Sequence, residues 1–75
     1  MLKVPSLTSK QVIRALKQAG FVEDRQKGSH LVLYNDVTNA RTVVPVHGGK
    51  TIKRSLLFAI ISDAKLTPKE FLELL

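Results

Sequence analysis

Two histidines carry much of the chemistry that this sequence offers. His30 lies in the segment KGSHLVLY (residues 27–34), near the start of its β-rich run over residues 29–34, and His47 begins the segment HGGK (residues 47–50). An unperturbed imidazole titrates near pH 6.5, so it can accept and release a proton close to neutral pH. Such side chains suit general acid–base chemistry, but an idle, exposed histidine at the start of a strand has the same pattern.

Positive charge is expected close to His30. Arg25 and Lys27 are two residues apart in the preceding strand-like segment, so the period of two places them on one face. Gly28, which comes before Ser29 and His30, would let a ligand backbone approach closely. A proton-transfer group with cations nearby provides the components for acid–base chemistry on a phosphodiester.

The second histidine lies in a glycine-rich connector. His47, Gly48, Gly49 and Lys50 precede an expected helix, whose free N–H groups and dipole would favour a bound phosphate. The segment lacks the G-x-x-x-x-G-K-[ST] pattern, so a nucleotide-binding P-loop is not indicated.

Two other kinds of site are not favoured by the pattern. The two histidines are seventeen positions apart, without supporting carboxylates nearby, and the chain has no cysteine, so we expect no metal site. Ser29 is adjacent to His30 on the expected strand and points to the opposite face, which argues against a Ser-His-Asp arrangement.

The helices that position these groups are indicated by their ends. Thr8 and Gln11 form a capping box, Leu7 and Val12 form a hydrophobic staple around it, and Gly20 is suited to end the helix. A second helix is expected over residues 53–64 from its apolar stripe, and a short third helix follows the segment TPKE at residues 67–70.

Three strands are expected between the first two helices, over residues 21–27, 29–34 and 41–46. The first is polar and alternating, which suits an edge strand with one solvated face, and Pro45 is expected at an edge or near a strand end. Leu31 and Leu33 share a face and must meet the helices, so His30 is expected on the open face. The fold class is therefore α+β, a single domain over residues 1–75 with element order α-β-β-β-α-α and helices on one face of an antiparallel sheet.

The charge distribution favours a polyanionic partner. The 75 residues carry a formal net charge of +6, with ten basic and three acidic side chains in residues 1–62 and two basic and three acidic ones after them. A merely solvated basic surface is the alternative. Aromatic residues are 5% of the chain, which leaves little for a base-stacking platform. No apolar run is long enough to cross a membrane and no signal-peptide core is present, so a cytoplasmic location is expected.

Three motifs stand out: T-S-K-x-V-I-x-x-L-x-x-x-G-F at residues 8–21, D-R-Q-K-G-S-H at 24–30 and V-P-V-H-G-G-K at 44–50. Together they resemble the motifs of the HicA family, the toxins of bacterial and archaeal HicA–HicB toxin–antitoxin pairs. The resemblance extends over nearly the whole chain. It departs from the common pattern at Leu31, where the family often has a histidine or an aromatic residue, and at Arg54-Ser55, where Pro-Gly is common.

The resemblance implies a fold like the double-stranded RNA-binding domain and metal-free cleavage of mRNA, with no cofactor. The histidine of the G-S-H motif is catalytic in the family, and here it is His30. A HicB-like antitoxin is expected to bind the protein and block its active site.

We therefore expect a toxin that cleaves mRNA through attack of a 2′-hydroxyl on the adjacent phosphorus, with His30 as base, acid or both. The expected RNA- and phosphate-binding residues are Arg25, Lys27, Gly28, Ser29, Lys50 and His47. Two alternatives use the same basic surface: a non-catalytic module that binds double-stranded RNA, and a docking surface for an acidic protein.

Overall fold

Three helices and three strands follow one another in the order that the sequence predicts, in a computed structural model that describes residues 3–75. Met1 and Leu2, which belong to the domain expected over residues 1–75, lie outside the described residues. The α+β fold class and the element order are confirmed. The elements are α1 (Ser9–Gln18), β1 (Val22–Lys27), β2 (His30–Asn35), β3 (Ala40–Pro45), α2 (Arg54–Asp63) and α3 (Pro68–Leu72).

Helix α1 begins at the predicted capping box. The backbone N–H of Gln11 donates to the Thr8 hydroxyl at 3.3 Å, and the backbone N–H of Thr8 donates to the Gln11 side chain at 2.9 Å. These two bonds satisfy N–H groups that have no partner within the helix. The chain leaves the helix through Gly20, whose φ of 101° favours glycine. An equivalent capping box, formed by Thr67 and Glu70, begins α3.

The strands form one antiparallel sheet in the order β1-β2-β3. Leu31 and Leu33 of β2 are buried, and they pair with Val44 and Thr42 of β3, which are buried as well. The face that carries these side chains is the one covered by the helices, as the alternation predicts. Pro45 is the last residue of an edge strand, where its missing N–H costs no ladder bond.

Two expectations for the first hairpin are wrong. Strand β2 begins at His30, so Ser29 does not lie on a strand and instead forms a two-residue turn with Gly28, whose φ is 60°. Strand β1 is an edge strand, but all six of its residues are exposed, so both of its faces are solvated. The physical reason is that α1 and α2 pack against β3, at the other side of the sheet.

The core lies between the sheet and the helices. Its largest fully buried side chains include Leu16 of α1, Leu33 of β2, Ile60 of α2 and Phe71 of α3, so each helix contributes to it. The buried hydroxyl of Thr42 donates to the carbonyl of Ile60 at 3.2 Å, which joins β3 to α2. Within residues 3–75, no helix has both the length and the apolar character needed to span a membrane.

Candidate functional site

His30 lies at one end of the central strand of the sheet. It is the first residue of β2, and it pairs with Lys27 of β1 on one side and with Pro45 of β3 on the other. The residue is exposed, whereas its neighbour Leu31 is buried. The alternation of β2 therefore keeps His30 away from the core.

A cavity of about 380 Å³ opens beside His30, and we call it the histidine cavity. It lies where the starts of β2 and α2, the end of β3 and the first turn of α1 meet. Both histidines line it, although they are far apart in the sequence. The polar side chains that line it are Ser9, His30, His47, Lys50, Thr51 and Lys53.

A tight turn positions His47 and Lys50. The backbone N–H of Lys50 donates to the carbonyl of His47 at 3.2 Å, and Gly49 has a φ of 76°, which favours glycine. The backbone N–H of His47 donates in turn to the hydroxyl of Ser9 at 3.3 Å. Ser9 is only 5% exposed, so the turn that contains His47 is anchored to the buried side of the first turn of α1.

Sequence reasoning missed Ser9 because it follows a strong N-cap and fits the helix without any further role. Sequence reasoning does not assign Lys53 to the site either, because the apolar pattern includes it as the first residue of the second helix. The sequence does contain one indication that Lys53 belongs to the site. It lies three residues after Lys50, just ahead of a helix that has no acidic residue in its first turn.

The histidine cavity is electropositive. Lys53 is the N-cap of α2 and makes no side-chain capping bond, and the first turn of α2 contains no acidic residue. The uncapped end of the helix therefore adds its partial positive charge to that of Lys50 and Lys53. Among the described residues that line this cavity, none is acidic. An anion is the ligand that such a site favours.

The other predicted residues lie on the hairpin next to His30 and do not line the cavity. Lys27 pairs with His30 and Arg25 pairs with Val32, so both cations are on the same face as His30, as predicted. The carbonyl of Ser29 accepts a bond from the backbone N–H of Val46 at 2.6 Å, which ties the turn to β3. A Cβ added at Gly28 would meet no atom within 4 Å. Within the protein, glycine is therefore favoured here by its φ of 60° and not by a close contact.

The two departures from the family pattern lie outside the histidine cavity. Leu31 is buried in the core, on the opposite face from His30. The guanidinium of Arg54 donates to the carbonyl of Val4 at 3.0 Å and lies 5.5 Å from the centre of the Phe58 ring. Arg54 thus holds the start of α2 against the chain before α1 and does not face the cavity.

A second cavity, of about 450 Å³, lies on the other side of Ser9 and His47, and we call it the adjoining cavity. Both residues line both cavities, so the two spaces share a wall. Six further residues line it: Thr8, Lys10, Ile13, Val46, Gly48 and Gly49.

Metal ligation is not suggested by the arrangement of donor groups. Residues 3–75 contain no group of three or more histidine and carboxylate side chains placed to hold a metal ion. The absence of a metal from the reaction stays a prediction.

Comparison with models of protein families matches residues 9–66 to the family described as the HicA toxin of bacterial toxin–antitoxin systems. The matched segment includes α1, the three strands and α2, and with them every residue that lines the histidine cavity. No match to a curated protein was found.

Proposed function

Because the chain belongs to the HicA toxin family of bacterial toxin–antitoxin systems, we propose that it is an endoribonuclease that cleaves mRNA without a metal ion. Membership of the family gives the toxin role and a cognate antitoxin as partner. The substrate, the reaction and the site residues are our proposal. The observation that carries it is the histidine cavity, in which His30, His47, Lys50 and Lys53 line one electropositive space.

In the proposed reaction, the 2′-oxygen of a ribose attacks the adjacent phosphorus, and the bond from phosphorus to the 5′-oxygen of the next nucleotide breaks. A base removes the 2′-hydroxyl proton and an acid gives a proton to the leaving 5′-oxygen. The products are a 2′,3′-cyclic phosphate and a free 5′-hydroxyl. Because the attacking and leaving oxygens lie on opposite sides of phosphorus, two separate proton carriers fit the reaction well.

His30 is the proposed catalytic residue, and His47 is the proposed second proton carrier. They enter the cavity from different elements, His30 from β2 and His47 from the turn after β3. A phosphate bound between them would have a proton carrier on each side. A well-placed acid or base accelerates such a reaction by roughly 10² to 10⁴.

The cations have two proposed roles. Lys50, Lys53 and the start of α2 would bind the scissile phosphate and stabilise the charge that develops on its oxygens. Arg25 and Lys27, with the Gly28-Ser29 turn, would contact the RNA backbone beside the site. Contacts of the second kind position a nucleic acid without reading its sequence.

The antitoxin is proposed to be HicB-like and to inhibit the toxin by covering the histidine cavity. The cavity has a lining without acidic residues, so a complementary antitoxin surface should be acidic. Complementary charge speeds association and selects the partner. Because the proposed substrate is mRNA, the proposed place of action is the cytoplasm.

A non-catalytic module that binds double-stranded RNA is the second candidate. The exposed Arg25 and Lys27 on β1, an edge strand of the three-stranded sheet, favour it, because such modules contact phosphates and 2′-hydroxyls by shape. It does not require two histidines in one cavity.

Incubation of the purified protein with RNA, with and without a chelator, tests the proposal. We expect cleavage that persists with chelator and leaves 2′,3′-cyclic phosphate ends. The His30→Ala variant should lose at least about 100-fold in rate, because it lacks a general acid or base. It should keep its fold, since His30 is exposed. Cleavage that stops with chelator, or that survives unchanged in folded His30→Ala protein, would contradict the proposed mechanism.

A further inference from the structure

The adjoining cavity has the position and lining of a second subsite. It lies between the start of α1 and the turn that holds His47, and it shares Ser9 and His47 with the histidine cavity. A ligand held in the histidine cavity therefore lies directly beside the adjoining cavity. Its volume of about 450 Å³ falls within the range of small-molecule sites, about 300 to 1,000 Å³.

The walls of the adjoining cavity are mainly apolar. Ile13 and Val46 contribute aliphatic side chains, and Gly48 and Gly49 contribute backbone without a side chain. The charged or titratable side chains in its lining are Lys10 and His47, and none of the described lining residues is acidic. These properties fit a flat, uncharged group that is attached to phosphates.

We propose that the adjoining cavity binds the base of a nucleotide next to the scissile phosphate, so that the substrate is single-stranded RNA. This inference rests on the proposed function. A base in a duplex is stacked and paired, and it can enter such a cavity only when it is unpaired and turned outward. Aliphatic walls would contact the face of the base in place of the aromatic platform that this chain lacks.

The polar groups of the adjoining cavity indicate how selective it is. The hydroxyl of Thr8 already bonds with Gln11, donating at 3.2 Å and accepting at 3.3 Å. The hydroxyl of Ser9 accepts from the His47 backbone. With these hydroxyls engaged, the main side chains left to read the edge of a base are Lys10 and His47, and His47 is the proposed proton carrier, so the cavity should require a base but discriminate weakly between bases.

The test uses short RNA strands whose cleavage position has been mapped. In two further strands, the nucleotide on one or the other side of the scissile phosphate is replaced by an abasic ribonucleotide, which keeps the 2′-hydroxyl. We expect one of these strands to lose about tenfold in kcat/KM, since burying one face of a base is worth about that factor. Exchanging one base for another at that position should change kcat/KM by less than the abasic change does.

A substitution in the lining of the adjoining cavity tests whether the base binds there. A Cβ at Gly48 would meet no atom within 4 Å, so this position has room for a side chain, and Gly48→Val adds a branched one at the wall of the cavity. This variant should cleave the intact strand with a kcat/KM about tenfold below that of the wild type. Its kcat/KM for the abasic strand should be no lower than for the intact strand, as in a double-mutant cycle. Gly48→Ala adds a single methyl group at the same position. For this variant, the abasic strand should still have a lower kcat/KM than the intact strand, by most of the factor seen with the wild type.

The outcomes separate the two proposals. If wild-type protein cleaves the intact strand and both abasic strands equally well, the nucleobase site is wrong while the ribonuclease proposal stands. If Gly48→Val shows the same loss with the abasic strand as the wild type, the base binds elsewhere and the site is wrong as well. Cleavage of the same RNA as a fully paired duplex at an undiminished rate would overturn the single-stranded substrate. If no RNA is cleaved at all, both proposals fall.

Discussion

The hydroxyl of Ser9 accepts a hydrogen bond from the backbone N–H of His47 at 3.3 Å, across 38 positions of the chain. This bond joins the first turn of α1 to the turn after β3, and both residues line the histidine cavity and the adjoining cavity. The position of His47 relative to His30 therefore depends on a residue that takes no proposed part in proton transfer.

Replacing Ser9 with alanine should lower both stability and activity. The change removes a hydrogen bond and leaves the His47 N–H without its partner, so we expect the free energy of unfolding to fall by about 1 kcal/mol. The kcat of RNA cleavage should fall as well, because the turn that holds His47 loses its anchor. Urea denaturation and single-turnover cleavage, at a temperature where both proteins are folded, measure the two effects.

Ser62→Ala is the matched control, since Ser62 is an exposed serine of α2 that lines neither cavity. It should behave like the wild type in both measurements. If Ser9→Ala does so too, the bond has no part in positioning His47.

The dependence of cleavage on pH should reveal whether one histidine acts or two. With His30 and His47 as a base and an acid, the rate of the wild type rises and then falls with pH, because each group is active in a different protonation state. His47→Ala should remove one limb of that curve and lower the maximum rate. A profile of unchanged shape in His47→Ala would assign the second proton transfer to another group.

Removing Lys50 or Lys53 should weaken RNA binding and reduce its dependence on salt. Each phosphate contact to a single strand contributes about 0.7 to the slope of log K against log salt, so Lys50→Met and Lys53→Met should each lower the slope by about that amount. The slope is measured by fluorescence anisotropy with a labelled RNA. Each lysine variant is combined with His30→Ala, so that the RNA is not cleaved during the measurement.

Lys69→Met provides the control for this experiment. Lys69 is an exposed cation of α3 that lines neither cavity, so its removal changes the net charge equally without removing a proposed contact. Equal slopes for the Lys69 and Lys50 variants would mean that net charge, and not the histidine cavity, governs binding.

Asn35→Ala should destabilise the fold without touching the site. The buried Asn35 side chain donates to the carbonyl of Ala19 at 3.2 Å and accepts from the backbone N–H of Val37 at 3.0 Å, so it ties the end of α1 to the turn after β2. Leaving these groups without partners should cost about 2 kcal/mol. Asp36→Ala, at an exposed position of the same turn, should cost much less, and equal thermal denaturation curves for the two variants would refute this role of Asn35.

The parts of the fold that rest on local interactions could be predicted from the sequence. The Thr8–Gln11 capping box involves residues three apart, and the alternation of Leu31 and Leu33 fixes which face of β2 is buried. The placement of His30 on the exposed face follows directly from that alternation.

Other features depend on contacts that a single segment does not encode. Whether Ser29 belongs to a strand or a turn depends on the pairing of Lys27 with His30, and the solvation of β1 depends on where the helices pack. The meeting of His47 and Lys50 with His30 follows from the return of β3 along β2. Ser9 could not be assigned in advance, because its partner is 38 positions away.

The wide spacing of the residues that line the histidine cavity has a consequence for the cell that makes this protein. Its polar lining extends from Ser9 in α1 to Lys53 ahead of α2, so no short part of the chain contains the site. A growing polypeptide on the ribosome therefore has no such cavity until the segment through Lys53 has been synthesised and folded. If the chain cleaves mRNA as proposed, the message that encodes it is protected from the incomplete product until that segment has folded, and the antitoxin is needed only from then on.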